Sequence, residues 1–274
     1  MRAIVIIPAR YGSTRLPGKP LTRIAGQTML SRVCAIAHAA ARDNGDIDVL
    51  VATDDARIGA HCKEIGAPWV MTAATCRSGT DRALAALRQL PQAYDVVINL
   101  QGDAPLIPPD FIAAMLKAFK ADPAIEAVTP AVRLSWSELD QLRVQKAGTP
   151  FSGTCVVVDT NGNARWFSKQ IIPAMRNEDA LRRQGGLSPV LRHVGLYGYT
   201  RKMLETYVTL SAGHYEQLEG LEQLRLLEHG YGIRVVEVDY RGRAAMSGVD
   251  SPADVARAEA LIARHGELLA DGSP

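Results

Sequence analysis

Apolar positions in this chain follow two rhythms. Ala3 to Ile7 is an unbroken apolar run with β-branched residues, the pattern of a strand buried on both faces. From Thr28 to Ala41, Met29, Leu30, Val33, Ile36, Ala37 and Ala40 recur at helical spacing in an alanine-rich stretch, which predicts a helix. Asp48 to Thr53 reads as the second strand, followed by a short helix to Ile65 and a short strand over Trp69 to Met71. Ser78-Gly79-Thr80-Asp81-Arg82 opens a helix to about Leu90, with Ser78 or Thr80 able to cap its free amides. Asp95 to Leu100 is another buried run, and Pro108-Pro109-Asp110 starts a helix to about Lys120. Strand and helix alternate through this half, which predicts an α/β fold with a doubly wound, mostly parallel sheet.

The rhythm changes near residue 126. Glu126 to Val132 and Thr154 to Asp159 read as strands, Asn161-Gly162 as a hairpin turn and Ala164 to Ser168 as its return strand. Asn177 to Leu187 is polar, contains Gly185-Gly186, and reads as a mobile loop. His193 to Thr200 reads as one strand and Tyr215 to His229 as one helix closed by Gly230. Ile233 to Val238 is a further strand, Gly248-Val249-Asp250 a loop, and Pro252 to His265 a final helix, with Asp271 to Pro274 expected to fray. Neither a repeat nor a low-complexity tract is present.

Composition narrows the picture. At 274 residues, with 47% apolar and 22% charged residues, the chain fits one large domain with a substantial core. A net charge of +2 argues against a dedicated nucleic-acid binder. Cys34, Cys62, Cys76 and Cys155 form no C-x-x-C pair and are expected to be reduced thiols. No stretch approaches the ~20 apolar residues of a membrane span. The first apolar run is cut by Pro8 and an arginine-rich loop, unlike a signal peptide. A cytoplasmic protein without a membrane or nucleic-acid partner is the expectation.

Candidate chemistry gathers where strands end, which is where open α/β sheets bind ligands. Pro8-Ala9-Arg10-Tyr11-Gly12-Ser13-Thr14-Arg15-Leu16-Pro17-Gly18-Lys19-Pro20 follows the first strand. Arg10, Arg15 and Lys19 could neutralise a triphosphate, Gly12 and Gly18 admit close backbone approach, and Ser13 and Thr14 add donors. The P-loop pattern is absent, and a solvated basic loop would contain the same residues. Asp103, after Gln101-Gly102, and Asp250, after Gly248-Val249, could ligate Mg²⁺ through oxygen or serve as ordinary turn residues. Arg77 to Arg82 could offer free amides and positive charge at a helix start, or be an ordinary capped helix. His193 and Tyr197, four apart and so on one face of a strand, with Glu222 and Gln223, would suit a sugar acid. Each also has a structural reading, the last two as a solvated helix face. Neither a Ser-His-Asp set, H-E-x-x-H nor a Rossmann G-x-G-x-x-G occurs.

Taken in order, the motifs resemble the 3-deoxy-manno-octulosonate cytidylyltransferase (CMP-Kdo synthetase) family from Ile6 to about Val255. The resemblance is carried by Ile7-Pro8-Ala9-Arg10-Tyr11, Ser13 to Leu21, Val51-Ala52-Thr53-Asp54-Asp55, Ser78 to Arg82, and Asn99-Leu100-Gln101-Gly102-Asp103 with Pro105 to Pro109. Later parts are Phe167-Ser168, Ile172-Pro173, His193-Val194-Gly195-Leu196-Tyr197, Leu221 to Arg225, and Gly248-Val249-Asp250. Single motifs are shared with sialic-acid cytidylyltransferases; the ordered set is specific.

The resemblance implies a nucleotidyltransferase, Rossmann-like single domain over 1–274, with an inserted dimerisation and sugar-binding segment at about 126–200. It implies transfer of CMP from CTP to the anomeric hydroxyl of a 2-keto-3-deoxy sugar acid, Kdo, for lipopolysaccharide or capsule, by a cytoplasmic homodimer. Pro8, Ala9, Arg10, Ser13, Arg15, Lys19, Ser78, Gly79 and Gln101 would match the CTP site. Gln101, His193, Tyr197, Glu222 and Gln223 would match the sugar pocket. Lys19, Asp103 and Asp250 would be catalytic, with Asp103 and Asp250 holding Mg²⁺. The chain departs from the family at Ala104, in place of Glu, at Cys155, where a lysine usually stands, and at Lys169, in place of Arg. An 8-amino-Kdo or sialic-acid-like acceptor, or a CTP-binding protein without catalysis, is the alternative.

Overall fold

The structure, a computed structural model, describes residues 1–13, 15–45, 47–246 and 248–269. In chain order the strands are β1 (Ala3–Ala9), β2 (Arg23–Ile24), β3 (Gln27–Thr28), β4 (Ile47–Thr53), β5 (Trp69–Met71), β6 (Val96–Asn99), β7 (Ala127–Arg133), β8 (Thr154–Val158), β9 (Ala164–Ser168), β10 (Leu191–His193), β11 (Tyr197–Thr200) and β12 (Arg234–Val238). The helices are α1 (Met29–Asn44), α2 (Ala56–Glu64), α3 (Gly79–Leu87), α4 (Pro109–Ala121), α5 (Trp136–Gly148), α6 (Glu178–Arg183), α7 (Arg201–Tyr207), α8 (His214–Glu219), α9 (Leu224–Glu228) and α10 (Pro252–His265).

A 10-stranded sheet with the order β5-β4-β1-β6-β11-β7-β10-β8-β9 forms the centre, and β12 pairs in parallel with β7. The pairings set β1, β4, β5, β6, β7, β8 and β12 in one direction and β9, β10 and β11 in the other. The expected mostly parallel, doubly wound sheet is present. Its cause is visible in β1. Val5 and Ile7 face a core built with Leu30 and Val33 of α1 and Phe111 and Met115 of α4. Ile4 and Ile6 face the opposite core, with Leu84 and Leu87 of α3 and Leu204 and Tyr207 of α7. Helices cover both faces, so every position of the run must be apolar.

Residues 126–200 supply β7 to β11, all woven into the same sheet. Several expectations for the second half are corrected. Helix α5 was not legible from apolar spacing, because only Leu139 and Leu142 are buried along it. Its start is a capping box, in which Ser135 Oγ accepts the Glu138 N–H and the Glu138 carboxylate accepts the Ser135 N–H. The polar stretch after Asn177, read as a mobile loop, contains α6. Arg143 holds Glu178 at 2.7 and 2.6 Å, and Arg182 holds Asp140 at 3.0 and 2.6 Å.

The single strand expected over His193 to Thr200 is two, β10 and β11, separated by a tight turn in which Leu196 N–H donates to Val194 O at 2.7 Å. The helix expected over Tyr215 to His229 is also two. Gly220 ends α8 in the left-handed conformation, φ 63°, where a side chain would be strained, and α9 begins only at Leu224. All four cysteines are free. Asp271 to Pro274, expected to fray, lie outside the described residues.

Candidate active site

The opening loop is closed on itself. Tyr11 O accepts the N–H groups of Ser13 at 3.0 Å and Gly18 at 3.2 Å. Ser13 Oγ accepts from Leu16 N at 3.3 Å. The Arg57 guanidinium lies 3.3 Å from the centre of the Tyr11 ring and pairs with Asp55 at 2.7 Å. Asp55, from the second motif, thereby braces the first. Arg10 and Arg15 are exposed, and Thr14 lies outside the described residues.

Lys19 leaves the loop in a short turn and ends between two carboxylates. Its Nζ lies 2.6 Å from Asp103 Oδ2 and 2.9 Å from Asp250 Oδ1, while Arg15 Nη2 lies 3.1 Å from Asp250 Oδ2. Burial alone would lower the Lys19 pKa, but Asp103 and then Asp250 outweigh it and hold the ammonium above its ordinary value. The two acids meet because Val249 N–H donates to Asp103 O at 2.8 Å. One cation already reaches both carboxylates, so the pair fits a hard dication ligated by oxygen. Among the described residues no group of three or more His, Cys, Asp or Glu side chains could hold a metal. The remaining ligands would therefore come from phosphate and water, as is usual for Mg²⁺.

These groups open onto a cavity of about 930 Å³. Arg15, Gly79, Gln101, Asp103 and Asp250 line one end, and His193, Tyr197, Glu222 and Gln223 line the wall. Pro8 packs against the Gly79 end of the cavity, since a Cβ on Gly79 would stand 3.2 Å from Pro8 Cγ and 3.1 Å from Gln101 Oε1. Ala9 is packed in the core, with no polar side chain to offer. Ser78 Oγ accepts the Asp81 N–H at 3.1 Å as the cap of α3. Arg10, Ser13, Lys19 and Ser78 stand outside the cavity lining, although Lys19 touches it through Asp103 and Asp250. The expectation that Arg82 adds charge to the site is corrected. Its side chain is 3% exposed and committed to Asp54 and Thr72, each at 2.6 Å. Arg77 reaches Asp81 at 3.5 Å.

At the cavity wall, His193 and Tyr197 come from different strands, correcting their placement on one strand face, yet their rings lie 5.6 Å apart. Thr129 Oγ1 donates to Leu196 O at 2.8 Å, so it accepts from His193 Nε2–H at 2.8 Å. That network assigns the proton to Nε2 and leaves Nδ1 as an acceptor. Burial, with help from the nearby Lys169, pushes the His193 pKa down to about 3; the ring is neutral at physiological pH.

Tyr197 O–H donates to Gln223 Oε1 at 3.0 Å, and burial raises its pKa well above the ordinary tyrosine value. Gln223 is 2% exposed, and its Nε2 has no hydrogen-bond partner among the described residues. A buried amide donor left open beside a cavity is costly unless a ligand completes it. Glu222 keeps its surface open to the cavity, but surrounding protein displaces enough water to raise its carboxyl pKa. Glu222 and Gln223 sit in the break between α8 and α9, and not on a solvated helix face.

Sequence reasoning missed Arg192 and saw Lys169 only as a replacement; both line the cavity beside His193. Arg192 was findable as the cation adjoining His193, but its direction depends on the register of β10 between β7 and β8.

The His193 shift has a measurable sign. Between its ordinary 6.5 and about 3, the unfolded chain holds a proton that the folded chain does not. Stability should fall as pH drops through that window. Melting temperature measured across it should decline less steeply in His193→Gln than in the unsubstituted protein; identical slopes would refute the assignment.

Comparison with known proteins matches a model described as "Cytidylyltransferase" to residues 4–236. The chain is 48% identical over 269 residues to 3-deoxy-manno-octulosonate cytidylyltransferase of Maricaulis maris (strain MCS10), covering 98% of this chain and 100% of that protein. It is 43% identical to the protein of the same name from Anaeromyxobacter sp. (strain Fw109-5), covering 96% and 97%. A solved structure of CMP:2-keto-3-deoxy-manno-octonic acid synthetase complexed with CTP superposes with a TM-score of 0.80 at 37% identity, covering 96% of this chain and 99% of that one.

Proposed function

This chain belongs to the cytidylyltransferase family, and from that premise we propose that it transfers CMP from CTP to the anomeric hydroxyl of 3-deoxy-D-manno-octulosonate, releasing pyrophosphate. The observation that carries the reading is one cavity of about 930 Å³ lined at one end by Arg15, Asp103 and Asp250 and along its wall by His193, Tyr197 and Gln223. Triphosphate chemistry and polyol chemistry meet in a single space.

The sugar hydroxyl attacks the α-phosphorus and pyrophosphate departs. Such transfers depend on positioning and charge stabilisation, without a covalent enzyme intermediate. Arg15, which lines the cavity, and Lys19, which reaches it through Asp103 and Asp250, would neutralise charge on the departing pyrophosphate. His193 Nδ1 accepts from an acceptor hydroxyl, and the open Nε2 of Gln223 donates to an acceptor oxygen. Asp103 and Asp250 would hold Mg²⁺, which supplies Lewis-acid stabilisation and eases ionisation of the attacking hydroxyl.

The product is an activated sugar acid for lipopolysaccharide or capsule, made in the cytoplasm. No described helix is long and apolar enough to cross a membrane. A homodimer would form through the segment at about 126–200, which exposes the apolar side chains Val144, Phe151 and Leu187 by 76%, 72% and 57%, surface of the kind that association covers. Sedimentation at the mass of one chain would refute that contact.

Incubation with CTP, Mg²⁺ and Kdo should release pyrophosphate in proportion to CMP-sugar formed. Release with an 8-amino-Kdo or a nonulosonate but not with Kdo would change the acceptor. CTP binding without turnover across that panel would make the chain a non-catalytic nucleotide binder and end the proposal.

A further inference from the structure

Lys146 rises from the last turns of α5, and its ammonium ends among main-chain carbonyls. Ser152 O lies at 2.6 Å, Gly153 O at 3.0 Å and Pro150 O at 3.4 Å, and Lys169 O is a further acceptor. A lysine ammonium is a compact charge with three rotatable donors, so one group can be shared between two segments far apart in sequence. The Lys169 peptide is also gripped from its other side. Its N–H donates to Glu219 Oε2 at 2.7 Å, and Glu219 Oε1 accepts from the Ser168 hydroxyl at 2.8 Å.

Both segments matter to the cavity. Ser152 and Gly153 form part of its rim, and Lys169 lines it beside His193. Lys146 itself does not line the cavity. Cys155, which takes the place of a lysine in the family pattern, packs with Leu139 and Leu142 under α5. Burial raises the Cys155 pKa, and the Ile172 backbone, then the neighbouring Lys146 and Arg192, partly oppose that rise. A cation therefore stands at this corner after all, delivered by α5 instead of β8.

We propose that Lys146 is a positioning residue for the acceptor. It fixes the spacing between the Ser152-Gly153 rim and Lys169, and with it the width of the acceptor end, without touching either substrate. The proposal rests on the functional reading given above. Without the ammonium, half-buried carbonyls of the two segments face one another unpaired, which favours their separation.

The test uses the full chain with CTP, Mg²⁺ and Kdo. Lys146→Met keeps the stem and removes the charge. It should raise KM for Kdo about tenfold, the scale of one or two lost hydrogen bonds. KM for CTP, and CTP affinity by calorimetry, should stay within about twofold, because donor binding is untouched. Lys146→Arg, which keeps charge and donors, should recover part of the loss. Glu219→Gln, which loosens the same peptide from the other side, should show the same split and carries the test if Lys146→Met does not fold. An unchanged KM for Kdo, or an equal loss of CTP affinity, overturns the proposal. Unsubstituted protein that releases no pyrophosphate with Kdo refutes the functional reading instead, so the two failures are told apart.

Discussion

Asp103→Asn is expected to lower turnover by about 10²-fold or more, the scale of removing one preorganised charge-stabilising group. The substitution is nearly isosteric, and the amide oxygen can still accept from Lys19. What it removes is charge. In the native site two carboxylates, Asp103 and Asp250, face two cations, Lys19 and Arg15, at 2.6 to 3.1 Å. With Asp103 neutral, Asp250 alone must serve both cations and any dication that enters with the nucleotide. The measurement is kcat at saturating CTP, Mg²⁺ and Kdo, with a melting curve to show that the fold survives. Near-normal turnover would remove Asp103 from the chemistry.

Gly102→Ala should be almost as damaging, by a different route. A Cβ at this position would stand 2.6 Å from Pro8 O. The obstacle is backbone at the end of β1 and cannot rotate away. Either Pro8 or the Gln101-Gly102-Asp103 turn must move, at a cost of roughly 1–3 kcal/mol in stability. A misplacement of about 1 Å can cost on the order of 10²-fold in rate, and Gln101 and Asp103, on either side of Gly102, line the cavity. Turnover and thermal stability should therefore fall together. Gly148→Ala, where a Cβ would meet nothing within 4 Å, controls for loss of glycine as such. Equal stability of the two variants would refute the close-approach argument.

The strands and charged loops at the Asp103 end of the cavity were legible in the sequence because their signals are local, while the reading of that end as a nucleotide site came from the family resemblance and not from the loop's own residues. An unbroken apolar run dictates β1, and the loops after β1 and β6 carry their charges within a few residues of the strand ends. Even Asp250, 147 positions beyond Asp103 in the chain, announces itself by a glycine close before it. The acceptor end was less legible because it is made by register. His193 and Tyr197 reach one cavity from separate strands, and their sequence spacing described neither. Gln223 owes its position to the break at Gly220. Arg82 looked like site charge because its buried partner, Asp54, lies in another motif. Helix α5 hid because it buries little, yet Lys146 uses it to reach carbonyls of two other segments. Polar side chains that bond to main chain leave no periodic trace.

The bond from Gly18 N–H to Tyr11 O carries a consequence for binding thermodynamics. It holds the two ends of the loop together, anchored at the base by the Arg57 guanidinium over the Tyr11 ring. The entropy of bringing the ends of such a segment together grows only with the logarithm of its length, and here it is lost during folding. On the proposed function, a triphosphate arriving at the protein would not have to gather an open strand around Arg15. More of its contact energy then remains as affinity. On the proposed function, nucleotide recognition and the stability of this corner would draw on the same hydrogen bond.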